Sequence, residues 1–416
     1  MSKNYIKKEI HYSKKNGLFF IEFKIFLSII FFLIFLFNYK KDKIVVDFQF
    51  KMFFNRSSEK SVNEEYKDIQ NYMDMCINGT LIDQDKIYYH SKNPKISIVI
   101  SVYNGEPYLN TSILSIQNQD FKDVEIVIVD DASKDNSVIL IKELMKIEPR
   151  IVLYENEENK GALYTKSKGV LKAKGKYVMT LDMDDIFVQR EAFSTLYVEA
   201  TKNNLDILGF IVVQTYKNIN KKRPNYSDKL RIIYQPELSN LMYHLHSGGR
   251  VRRFGGNLYN HFIKTDLFKR IIKKIDNNNM NVKMNVHDDF ILFFLLTRNA
   301  YNIKYINRLF YVVLLTWNKH DEKIKFRTQI KMKNRNNYKC LSYLNFLEIL
   351  FKNTKNTTND KKIAFSQLEE WYLKIYCRNN EDTRDKAIEV FKLFLENKYI
   401  SESDKNKIRK FINNKI

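Results

Sequence analysis

Four short apolar runs set the pattern between Pro94 and Asp182: Ile96–Val102, Val124–Val129, Ile151–Tyr154 and Tyr177–Leu181. Each reads as a strand of a buried sheet. Between them the apolar positions change to helical spacing. Leu109, Ile113, Leu114 and Ile116 follow a turn over Tyr103-Asn104-Gly105-Glu106-Pro107. Ile139, Leu140, Leu144 and Ile147 follow a cap at Ser133 or Asp135 and stop before Pro149. A third helix, from about Ala162 to Ala173, leads through Gly175 into the last run. This alternation predicts right-handed βαβ units, hence an α/β fold with a Rossmann-like, mainly parallel sheet flanked by helices on both faces.

Acidic residues close two of these runs. Asp182, Asp184 and Asp185 follow the fourth, Asp130-Asp131 ends the second, and Asp288-Asp289 lies further along. In a parallel sheet the carboxyl ends of the strands gather at one edge, where open α/β folds bind ligands. Carboxylates gathered there are metal ligands or catalysts. The plain alternative for any one pair is the preference of Asp for strand-to-loop junctions.

The flanks differ from this pattern. After a basic tail over 1–17, residues 18–37 are mostly apolar and unbroken from Ile25 to Phe37, enough for a helix of about 30 Å with Glu22 and Lys24 near one interface. The expectation is a membrane anchor. A cleaved signal peptide and a buried core helix are the alternatives, and Asn38-Tyr39-Lys40-Lys41 is not a small-residue cleavage site. Residues 38–93 are polar and mixed, without a sustained period, and read as a stem. Over 326–416 the pattern is helical again, with Leu341, Leu344, Leu347, Leu350 and Phe351, then Ile388, Val390, Phe391, Leu393 and Phe394.

Lys and Arg total 70 against 48 Asp and Glu, a formal charge of +22, which favours anionic partners. The lysines are spread along the chain among asparagines, without a nucleic-acid motif, so no nucleic-acid partner is expected. The cysteines Cys76, Cys340 and Cys377 have neither zinc-site spacing nor the even number of a disulfide framework.

Four motifs together resemble the family-2 glycosyltransferases and their GT-A fold: Ile98–Leu109, Ile126–Asp135, Asn159-Lys160-Gly161-Ala162 and Gly175–Asp185. The resemblance runs from about Lys95 to Val213 and continues more weakly to about Lys319. It implies a nucleotide-sugar-binding half over 94–215 and an acceptor-binding half over 216–325. It further implies a metal-dependent, inverting enzyme that moves a sugar, a hexose or N-acetylhexosamine, from a nucleotide-sugar donor such as a UDP-sugar to a glycan, protein or lipid acceptor. Tyr103, Asn104, Glu106 and Asp131 correspond to the nucleotide pocket. Asp182 and Asp184 match the Asp-x-Asp signature, the first near ribose and the second on Mn²⁺ or Mg²⁺, and hard oxygen ligands suit those cations.

The family's general base lies in a Glu-Asp motif, matched here by Asp288-Asp289 with Asp in place of Glu. By that resemblance Asp289 is the base and Asp288 positions the acceptor; a register shifted by one would exchange them. A capped helix start is the alternative reading of the pair. His287 is read as a neighbour. The loop from Ser247 to Gly256 carries Arg250, Arg252 and Arg253 among glycines and could fold over a diphosphate or remain a surface connection. Tyr259 and His261 replace the family's Trp and Lys on the acceptor side, and His244 and His246 lack a third metal ligand. A non-catalytic nucleotide-sugar-binding homologue is the competing functional reading. The stem and its sequons, Asn55-Arg56-Ser57 and Asn78-Gly79-Thr80, lead to the expectation of a single-pass Golgi or endoplasmic-reticulum protein with a lumenal catalytic domain. Its rival places the domain on the cytosolic face of the endoplasmic reticulum, glycosylating a lipid phosphate.

Overall fold

The computed structural model describes residues 59–81, 90–215, 232–235, 257–275 and 288–314, with isolated positions elsewhere. The chain divides into two units, Met1–Glu65 and Tyr66–Ile416. Of the first, only the opening of helix α1 (Glu59–Ile77) is described. The expected anchor over 18–37 and nearly all of 326–416 lie outside the described residues. Among the described residues no helix is long and apolar enough to cross a membrane.

In the second unit, β1 (Ile96–Val102), α2 (Leu109–Gln117), β2 (Val124–Asp130), α3 (Ser137–Ile147), β3 (Ile151–Glu155), α4 (Ala162–Lys172) and β4 (Tyr177–Asp182) follow the expected alternation. β5 (Ile186–Phe187), α5 (Ala192–Lys202), β6 (Ile207–Thr215), β7 (Ile233–Tyr234), β8 (His261–Lys264), α6 (Thr265–Ile272), α7 (Asp288–Asn299) and β9 (Asn302–Leu314) complete it. The strands form one sheet in the order β3-β2-β1-β4-β8-β6-β9-β5, with β7 beside β9. β3, β2, β1 and β4 are mutually parallel, as are β6 and β9. β8 runs antiparallel to both β4 and β6, and β5 and β7 run antiparallel to β9. The sheet is therefore mixed: β1 to β4, β6 and β9 share one direction, as a mainly parallel sheet requires, and the short strands β5, β7 and β8 oppose it. The opposed strands enter where the helix-strand alternation stops, and four-residue β8 lies between β4 and β6 against their direction.

Strand alternation sorts the core onto two faces. Val99, Val127, Val129 and Val178 face α4, α6 and α7, packing with Leu163, Val170, Phe268 and Phe293. Ile96, Ile98, Ile100, Ile126, Ile128, Met179 and Leu181 face the other way, with Ile113, Ile141 and Leu196. Burial on both faces explains why these strands read as continuous apolar runs.

A third core holds a difference from the sequence reading. Ile69, Tyr72, Met73 and Cys76, at helical spacing on α1, are buried with Ile186, Val188, Ile211, Leu309 and Val312. Tyr72 Oη donates to the Ser115 carbonyl at 3.2 Å and accepts from Gln119 Nε2 at 3.0 Å. The middle of the expected stem is thus a helix whose second half packs on the far end of the sheet.

His261 is buried completely on β8. Its Nδ1 lies 2.8 Å from the Asn257 carbonyl, its Nε2 2.8 Å from Tyr305 Oη, and its ring stacks on Phe293. Burial pulls its pKa down to about 3, against the smaller opposing effect of the Asn257 carbonyl. The unfolded chain takes up this proton below about pH 6.5 while the folded chain does not, so the stability from a neutral His261 is complete above that pH and is lost as pH falls. The expected slope is about 1.4 kcal/mol per pH unit below 6.5. Melting temperatures from pH 7 to pH 5 check it: wild type should lose more than His261→Gln, and equal slopes would remove the histidine as the cause.

Candidate active site

The register aligns Val102 with Asp130 and Ser101 with Asp182, so the expected acidic residues do sit together at the carboxyl edge of the sheet. The loop after β1 is laced to the loop after β2. Asn104 takes a positive φ of 55°, its amide donates to Ser133 Oγ at 2.9 Å, and its Oδ1 accepts from the Lys134 amide at 2.7 Å. Glu106 accepts from Asn136 through Nδ2 at 2.9 Å and through the amide at 3.2 Å. Tyr103 stands more than a third exposed at the rim.

Asp131 is buried and largely engaged by its own chain. Its Oδ1 accepts from Asn156 Nδ2 and the Lys160 amide, each at 2.8 Å, and its Oδ2 accepts from the Gly161 amide at 2.9 Å. One acceptor position on Oδ2 remains for a ligand. The carboxylate thereby fixes the start of α4, where Gly161 adopts φ 88°, a conformation that favours glycine.

Beyond β4 the chain turns tightly, with the Asp185 amide donating to the Asp182 carbonyl at 3.0 Å. Asp185 points inward, accepting from Tyr311 Oη at 2.9 Å and the Leu314 amide at 3.1 Å. Its carboxyl is pushed up to about 8 by burial and then by Asp184 and Asp182, against those two hydrogen bonds. Asp184 makes no salt bridge among the described residues, and burial, followed by Asp182, pushes it up to about 6. Tyr311 Oη also accepts from the Asp182 amide at 3.1 Å, and its ring stacks on Tyr259 with centroids 4.9 Å apart.

Asp288 and Asp289 open α7. The cation between them and β4 is Lys166, on the second turn of α4 and only 7% exposed in its side chain. Its Nζ lies 2.7 Å from Asp289 Oδ1, 3.1 Å from Asp288 Oδ2 and 3.3 Å from Asp182 Oδ1. The approach to Asp288 is off the hydrogen-bond direction, so Oδ2 there is close in charge but not hydrogen-bonded. Burial works against the ammonium, but Asp182, Asp288 and Asp289 outweigh it and keep it protonated. The second oxygen of Asp289 accepts from the Leu258 amide at 3.3 Å. Burial raises the Asp289 carboxyl above the ordinary carboxylate range, with Asp288 and Asp182 adding and Lys166 opposing.

The structure thus brings Asp182, Asp288 and Asp289 together around the Lys166 ammonium, with Asp184 and Asp185 on the turn beside Asp182. Asn104, Glu106 and Asp131 brace the neighbouring loops. Sequence reasoning missed Lys166, although a signal was present: it falls between Leu163 and Val170 on the buried stripe of α4, where a charge must have a partner. His244, His246, His287 and the basic loop over 247–256 lie outside the described residues.

Among the described residues no group of three His, Cys, Asp or Glu side chains could hold a metal unaided. The fit to a Mn²⁺- or Mg²⁺-type ion rests on Asp184, a crowded carboxylate without a counter-charge of its own, and on Asp182 next to it. One or two carboxylates, with phosphate oxygens and water completing the shell, is an ordinary donor set for such ions.

The family model of glycosyl transferase family 2 matches residues 97–258. Similar proteins include the GalNAc(5)-diNAcBac-PP-undecaprenol beta-1,3-glucosyltransferase of Campylobacter jejuni, 35% identical over 130 residues that cover 31% of this chain and 42% of that one. The cholesterol galactosyltransferase of Borreliella burgdorferi is 27% identical over 224 residues, 52% of this chain and 59% of that protein. The chain therefore spans about half the length of the curated relatives it matches. Among solved structures, S. aureus TarS 1-349 in complex with UDP superposes with a TM-score of 0.50 at 14% identity, over 76% of this chain and 86% of that one, which shows a shared fold.

Proposed function

We propose, from the match of residues 97–258 to the model of glycosyl transferase family 2, that the protein transfers a sugar from a nucleotide-sugar donor to an acceptor hydroxyl. The observation that carries the proposal is the meeting of Asp182, from the end of β4, with Asp288 and Asp289, from the start of α7, around one buried ammonium. A donor-side carboxylate and a pair able to serve the acceptor are thereby within a few ångströms of each other.

In this reading the loops braced by Asn104, Glu106 and Asp131 receive the nucleoside, and Asp182 and Asp184 would hold a Mn²⁺ or Mg²⁺ ion. Such an ion supplies positive charge where the diphosphate leaving group becomes more negative. Asp289 takes the proton from the acceptor hydroxyl as that oxygen forms its bond to the anomeric carbon. The bond from that carbon to the diphosphate oxygen breaks on the opposite face, so configuration inverts. The stacked and buried pair Tyr259 and Tyr311 supports Asp182 and Asp185 from within the core. The names of the Campylobacter and Borreliella relatives contain PP-undecaprenol and cholesterol, which makes a lipid-borne acceptor the first class to test. An anchor over 18–37 would keep the domain where such acceptors reside.

A panel of UDP-, GDP- and dTDP-sugars with and without Mn²⁺ tests the reading. A cognate donor at a hundred times its Kd stabilises the native state by about 2.7 kcal/mol, an upward shift in melting temperature. The same donor should be hydrolysed slowly, with release of nucleoside diphosphate. The proposal fails if no nucleotide sugar shifts the melting temperature and none is turned over.

A further inference from the structure

We propose that Lys166 is a positioning residue that ties the acceptor-side pair Asp288 and Asp289 to the donor-side carboxylate Asp182. This rests on the glycosyltransferase reading above and adds to it the element that holds the two halves of the site in register.

The geometry is specific. Asp182 belongs to the sheet and Asp289 to a helix that reaches the site from another part of the chain, yet both face the Lys166 ammonium, at 3.3 Å and 2.7 Å. The lysine stands on a helix with little room to move. At its N-terminus the amides of Lys160 and Gly161 donate to Asp131, and the Ala162 amide donates to the Met284 carbonyl at 2.7 Å. Along its length Gly169 lies so close to β1 that an added Cβ would fall 2.4 Å from Val99 Cγ1. The ammonium is thus set by the sheet, and Asp289, gripped by it on one oxygen and by the Leu258 amide on the other, has its direction fixed.

Three carboxylates around one lysine exceed what neutralising its charge requires. A lysine present only for stability would be satisfied by one partner on a neighbouring element, and apolar replacements of buried ion pairs are often neutral or stabilising. A shared ammonium does something further: any displacement of α7 relative to β4 stretches one of its pairs. Displacements of about 1 Å at a reacting group can cost a hundredfold in rate. The prediction is therefore a loss in turnover without a matching loss in donor binding.

The test uses the full chain with Lys166→Met and Lys166→Arg, donor affinity measured by titration and transfer by steady-state kinetics. K166M should lower kcat about a hundredfold with donor Kd changed by less than about threefold. K166R keeps the charge on a longer, planar group, and its kcat should lie between wild type and K166M at unchanged donor Kd. If K166M does not fold, K166R alone carries the test, with an expected fall in kcat of about tenfold. A wild-type rate in K166M, or a rise in donor Kd that parallels the loss of kcat in either folded variant, would overturn the positioning role. A wild-type protein that binds and turns over no nucleotide sugar would instead overturn the function on which the inference rests.

Discussion

Replacing Asp289 by asparagine is expected to lower sugar transfer about a hundredfold or more while donor affinity stays within a few-fold, the effect of losing a general base. The amide keeps the size of the carboxylate and can accept from one of its two former donors, Lys166 or the Leu258 amide, while Asp182 and Asp288 still neutralise the ammonium, but it cannot take a proton. The pH profile provides an independent check. Burial, with Asp288 and Asp182, raises the Asp289 carboxyl despite Lys166, so the base is protonated and inactive over more of the acid range than an exposed Asp would be. Activity of the wild type should rise with pH above the ordinary carboxylate range, and that rise should vanish from the residual activity of the variant. Loss of donor binding in step with the rate would give Asp289 a structural or metal role. The same pattern appearing only in Asp288→Asn would exchange the roles of the two.

Asp184→Asn should abolish the cation response. With the charge removed and the shape kept, the rise in melting temperature on adding Mn²⁺ should disappear, and donor affinity in the presence of Mn²⁺ should fall tenfold or more, about 1.4 kcal/mol per tenfold. Burial and Asp182 hold this carboxyl near 6, so protons compete with the ion. Wild-type affinity for the cation should therefore strengthen as pH rises through that value, because a bound ion requires the carboxylate. Undiminished transfer by both the variant and the exhaustively chelated wild type would sink the metal assignment.

The first half of the fold was legible because β1 to β4 are buried on both faces and alternate with helices of regular apolar spacing. The carboxylates at their ends could be placed at one edge from that alternation alone. The mixed remainder was not, since β8 has four residues and takes its direction from its partners β4 and β6, which no local period encodes. Residues 59–77 were read without a period because Ile69, Tyr72, Met73 and Cys76 form a narrow stripe in an otherwise polar segment. Lys166 was overlooked for a related reason: its three partners come from β4 and α7, and their convergence on one atom exists only in the folded chain. Asp131 showed the opposite limit, where the motif marked the residue but not that most of its acceptor capacity goes to the Asn156 side chain and the Lys160 and Gly161 amides.

The seat of α1 bears on how this protein is prepared for experiment. A shortened chain that starts at Pro94, the boundary its sequence suggests, would uncover Ile186, Val188, Ile211, Leu309 and Val312 together and strip Tyr72 from Ser115 and Gln119. A contiguous apolar surface of that kind invites self-association. A fragment meant to shed the apolar N-terminus therefore has to begin ahead of Glu59, so that the helix travels with the sheet it covers.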